Sequence, residues 1–68
     1  MVGQLQVLLE REQGLPPKEC RILVQWGEDG GVCEVTLLLS GKAIWRDPDP
    51  IIAYVEELLD CTCKVVLE

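Results

Sequence analysis

Histidine and phenylalanine are both absent from this chain, and among its 68 residues only two are Trp and one is Tyr. Without histidine the commonest general base is missing, together with the Cys-His and Ser-His pairs of nucleophilic catalysis and a frequent nitrogen ligand of zinc. An enzyme is therefore not expected, and no catalytic residue or cofactor is assigned. Without Phe the core has to be built from Leu, Val and Ile. Basic residues are also scarce, six Lys and Arg against twelve Asp and Glu, for a net charge of −6. That sign opposes tracking along a phosphate backbone or an anionic membrane, so neither nucleic acid nor membrane is expected as a partner. The acids are dispersed rather than run together, the pattern of ordinary solubility in a small acidic protein.

Other absences narrow the reading further. No apolar run approaches the ~18–20 residues that span a bilayer, and no segment has the charged start, apolar stretch and cleavage site of a signal peptide. The expectation is a soluble cytoplasmic protein. A phosphate-binding loop is missing too, because Gly27, Gly30 and Gly31 are not followed by Lys-Ser or Lys-Thr. A chain of this length makes one domain, residues 1–68, and a domain so small buries only about 60% of its unfolded surface. Disulfides, a metal, oligomerisation or very regular packing usually make up the shortfall.

What is present is a strong pattern around Asp29-Gly30. The runs Cys20–Glu28 and Gly31–Leu39 flank it, and a two-residue type I′ turn there pairs Trp26 with Cys33, Val24 with Val35 and Ile22 with Leu37. One sheet face becomes continuously apolar, and a slip of one residue would scatter it. Upstream, Val2, Leu5, Leu8 and Leu9 follow helical spacing, and Gly14 before Leu15-Pro16-Pro17 stops the helix. The alternation of Leu5, Val7 and Leu9 is the competing strand signal.

Downstream, Ser40-Gly41 reads as a tight turn into a short third strand, Lys42–Arg46, which would set Ile44 against Leu37 and Trp45 beside Thr36. In Asp47-Pro48-Asp49-Pro50, Asp49 is the expected N-cap and Pro50 the first helical residue; the two acids are read as capping groups. Ile51, Ile52, Val55, Leu58 and Leu59 then form the apolar stripe of an amphipathic helix, and Cys61–Glu68 alternates as a last strand running parallel to a neighbour. The fold expected is α+β, a single small domain of order α-β-β-β-α-β, with a mostly antiparallel sheet. The second helix should cover the face of Ile22, Val24, Val35, Leu37 and Ile44.

Helix, three antiparallel strands, helix is an order that resembles the double-stranded-RNA-binding domain, and Gln13-Gly14-Leu15-Pro16-Pro17 is similar to that family's first loop. The resemblance extends to element order as far as the second helix. Asp47-Pro48-Asp49-Pro50 stands where that family has a basic cluster, so RNA binding is not carried over.

Four cysteines remain, of which only Cys61 and Cys63 are close in sequence. Zinc sites need two such pairs or supporting histidines. Cys20 and Cys33 fall at opposite ends of the hairpin, roughly 20 Å apart at strand rise. The thiols are expected as small buried core groups, the alternative being a thiol-based metal-binding or redox module using Cys61 and Cys63. A bridge between those two is disfavoured in an extended strand, where their Cα atoms approach the ~7 Å limit.

Strand alternation leaves Leu23, Leu38, Trp45 and Val66 on the second sheet face among Arg21, Gln25, Glu34, Thr36 and Lys64, while Trp26 joins the core face at its turn end. The second face is too apolar for an ordinary solvated one. Either the first helix folds over it or a partner does. The function expected is a small non-enzymatic protein–protein interaction module, a homodimer or the binder of another protein, using this face or an exposed strand edge.

Overall fold

The computed structural model describes residues 2–68. The first helix, α1, spans Val2–Gln13 and buries Leu5 and Leu9. It stops where the sequence predicts. Gly14 turns left-handed at φ +64°, its N–H reaches the Glu10 carbonyl at 3.0 Å, and the Leu15 N–H reaches Leu9 at 3.2 Å. A 3-10 turn, Pro17–Glu19, delivers the chain to β1, Cys20–Trp26, which pairs antiparallel with β2, Val32–Leu39.

The expected register holds along the body of the hairpin, with Val24 opposite Val35 and Ile22 opposite Leu37. The tip differs. Gly27 donates to the Gly31 carbonyl at 2.7 Å and Gly30 donates to Gly27 at 3.1 Å, so the loop is the three residues Glu28, Asp29 and Gly30. Only Gly30, at φ +84°, is left-handed there. A type I turn closed by a left-handed Gly replaces the two-residue type I′ turn. The register shifts by one between Gln25 and Trp26, so Trp26 faces Val32 and Cys33 is left over as a bulge. The Asp29 carboxylate favours this form by accepting the Gly31 N–H at 2.9 Å.

Residues Gly41–Trp45 form a 3-10 helix at the place expected for a third meander strand. The reason lies in the sheet order, β1-β2-β3. The free edge of β2 is taken by the last strand, β3, Thr62–Leu67, which runs parallel to it from Glu34↔Thr62 to Leu39↔Leu67. Residues 42–46 have no ladder to join; Ala43 instead turns inward and is fully buried. The sheet is mixed rather than mostly antiparallel, and the meander on which the RNA-binding-domain resemblance depended is not formed.

Between these segments α2, Asp49–Leu59, supplies the crossover. It begins one residue earlier than the sequence predicts. Pro48 is its N-cap and no side chain caps it; neither acid plays the expected capping role, and Asp47 instead closes an Asx turn at the helix entrance, its Oδ1 accepting the Asp49 N–H at 3.1 Å. The helix ends on Asp60 in the left-handed region, φ 52°.

Both helices lie on one face of the sheet. Leu5 and Leu9 of α1 and Ile51 and Val55 of α2 join Val35, Leu37, Leu39 and Cys63 in one buried cluster, which Leu15, Cys20 and Ala43 complete. Ile22 and Ile44 pack at its rim. The helix α1 does not fold over the second face, because the odd-numbered positions of β2 and β3 offer an apolar surface free of charge, and burying Leu5 and Leu9 there removes more apolar area from water.

Candidate interaction surface

Strand pleating sends alternate side chains to opposite faces. With both helices on the face of Val35 and Leu37, the other face is uncovered. Its residues stand in three cross-strand rows, Arg21–Leu38–Val66, Leu23–Thr36–Lys64 and Gln25–Glu34–Thr62. Leu38 sits directly beside Val66 and diagonally from Leu23, within reach of both. Leu23 is 50% exposed and Val66 43%; Leu38 in the middle strand is half-buried. Charged groups frame this stripe. Lys64 Nζ lies 3.2 Å from Glu34 Oε1 and Arg21 Nη1 lies 4.0 Å from Glu68 Oε1, both surface pairs of small energetic worth.

Three of the four residues singled out from sequence are thus brought together. Trp45 is not among them: it belongs to the 3-10 helix rather than to a strand, and its side chain is 86% exposed. Trp26, expected to cover the turn end of the core, is also largely exposed; the bulge at Cys33 shifts its partner to Val32. Leu67 was missed. Alternation assigns it to the core face, yet it is 59% exposed, since β3 is an edge strand and its last residues run past the helices. Alternation reports the face of a residue and carries no signal of which strand ends the sheet.

The β3 edge is only partly guarded. Cys63 turns its N–H away from β2 and donates it to Glu56 Oε2 of α2 at 3.0 Å, while Glu68 donates to the Leu39 carbonyl on the β2 side at 2.8 Å. Both polar groups of a strand residue point the same way, and the direction alternates. The N–H and C=O groups of Val65 and Leu67 therefore face the open edge.

No three of the cysteines share one site. Cys20 and Cys63 are buried, Cys61 is half-buried and Cys33 is exposed on the bulge, all as free thiols. Burial pushes the Cys20 thiol up to about 11. Burial, with the nearby Cys61, Glu56 and Cys20, pushes Cys63 up to about 12. Cys61 is raised as well, by burial first and then by Glu56, Asp60 and Cys33. These shifts disfavour the thiolates that bind metal or attack disulfides. Among the described residues no group of three or more His, Cys, Asp or Glu is placed to share an ion. A shallow groove between the helices is lined by Gln4, Leu5, Leu8, Leu58 and Leu59, a lining with no ionisable side chain.

No family model, curated protein or solved structure matches the chain. Among the described residues no helix is long and apolar enough to cross a membrane.

Proposed function

We propose that this protein is a small non-enzymatic interaction module that self-associates through the uncovered face of its sheet or the open strand edge that adjoins it. The observation that carries this reading is that Leu23, Leu38 and Val66 share a face with no helix over it, in a chain too short to bury all its apolar side chains. Two features support it: the framing of the stripe by charged groups of both signs, as at the rim of an interface, and the raised thiols, which weigh against the metal or redox alternative.

Val66 tests the reading best, because it stands where the apolar stripe meets the open edge. Val66→Glu should leave the circular dichroism and cooperative unfolding of the chain in place while shifting its native mass from oligomer to monomer. A wild-type chain that stays monomeric at high micromolar concentration would overturn self-association.

A further inference from the structure

Building on the self-association just proposed, we infer that the partner is a second copy of this chain added edge to edge, its β3 antiparallel to β3 about a two-fold axis at Val66. The two three-stranded sheets then join into one, with the helices of both copies on the same side.

The register follows from groups on the edge. In an antiparallel pair the residues that exchange backbone hydrogen bonds are those whose polar groups face outward, here Val65 and Leu67, because Cys63 is already occupied by Glu56. A two-fold axis at Lys64 would set the two Lys64 ammonium groups against each other and demand the occupied Cys63 N–H. An axis at Val65 would again oppose Cys63 to the partner's Leu67. An axis at Val66 does neither. It places Val65 opposite the partner's Leu67 as a hydrogen-bonded pair, twice by symmetry, and leaves the Glu56 contact intact.

Side chains agree with that register on both faces. On the helix-free face Val66 meets the partner's Val66 at the close, non-hydrogen-bonded position, and Lys64 meets the partner's Glu68 on either side of it. The ion pairs already present extend into a row of alternating sign, Glu34, Lys64, the partner's Glu68, the partner's Arg21. On the helix side the exposed Leu67 packs against the partner's Val65. The stripe of Leu23, Leu38 and Val66 becomes continuous with its copy across the axis. The contact is small beside a standard interface, so the dimer forms in a concentration-dependent equilibrium. Strand addition of this kind draws affinity from main-chain bonds and selectivity from the flanking side chains.

Charge reversal tests the pairing. Lys64→Glu sets a carboxylate opposite the partner's Glu68 at both ends of the dimer, and Glu68→Lys sets an ammonium opposite the partner's Lys64. Each variant alone should bind its own copy at least about tenfold more weakly than wild type. Mixed in equal amounts the two become complementary at both ends, and native mass spectrometry should show a heterodimer at the mean of the two homodimer masses. Amide exchange of α2 and β2, unchanged in each variant, confirms that the fold persists. A mixture that stays monomeric overturns the edge pairing. A dimer that survives both reversals but is lost in Leu38→Glu also overturns it, placing the second copy over the sheet face while self-association stands. A wild-type chain monomeric at high micromolar concentration removes both.

Discussion

The guanidinium of Arg46 donates to the carbonyl of Gly14 at 2.8 Å across a sequence separation of 32, and with its other nitrogen to the carbonyl of Gln13. One side chain from the end of the 3-10 helix thereby satisfies two carbonyls left over at the C-terminus of α1, where the helix dipole also favours a cation. Arg46→Ala should cost about 1 kcal/mol of stability, and amide exchange in the last turn of α1 should accelerate more than in α2. Lysine cannot span two carbonyls with the same planar fork, so Arg46→Lys should recover less than half of the loss in a urea titration.

Asp60 closes α2 in a left-handed conformation, φ 52° and ψ 50°, with an acidic group at the negative end of the helix dipole. Both features are unfavourable. Asp60→Gly relieves the first and the second together, Asp60→Asn chiefly the second. Each should stabilise the chain by about 0.5–1 kcal/mol, visible as a rise of several degrees in the thermal midpoint.

The thiols should report their burial in two ways. Cys33, exposed on the bulge, should react with an alkylating agent in the folded state, whereas Cys20 and Cys63 should wait for unfolding. The second report is alkaline. The unfolded thiols ionise near 9.0 while the folded ones hold their protons up to about 11 and about 12. Above pH 9 the unfolded state therefore binds fewer protons than the folded state. Stability present below that pH is lost as pH rises toward the folded values, by about 1.4 kcal/mol per pH unit for each thiol. Unfolding free energies from urea titrations between pH 8 and 10.5 should hold to about pH 9 and then fall with this slope, and Cys20→Ala combined with Cys63→Ala should flatten the fall.

The two faces of the sheet should respond oppositely to truncation. Leu37 is fully buried between β2 and the helices, so Leu37→Ala should cost about 2–5 kcal/mol, enough to unfold much of so small a domain. Leu23, half exposed on the other face, should tolerate replacement by Ala within about 0.5–1 kcal/mol in the isolated chain.

Much of the helix-covered half was legible because several local signals coincide there. Gly14 and the prolines after it fix the end of α1, the stripe from Ile51 to Leu59 fixes α2, and the apolar residues of β1 and β2 admit one register in which Val24 meets Val35. What was not legible depended on competition between distant segments. Lys42–Arg46 has a credible turn before it and strand-like alternation, but β3 takes the edge of β2, and no local signal ranks two claimants to one edge. Placement of α1 depended likewise on which face was the better apolar surface. Of the candidate surface, Leu23, Leu38 and Val66 followed from parity alone, which holds wherever a strand is real. Trp45 failed because its strand did.

The hairpin tip has a further property. Residues 26–33 lie between Gln25 and Glu34, and they are used as two facing pairs, three loop residues and the bulged Cys33; three pairs and a two-residue loop would use the same number. Either division leaves Val24 opposite Val35. Length at this end is thus uncoupled from the order of the core, and the chain has in effect a port: a foreign peptide spliced between Asp29 and Gly30, or a chain shortened by one residue at Cys33, changes what is displayed at the tip while the helix-covered sheet behind it keeps its alignment.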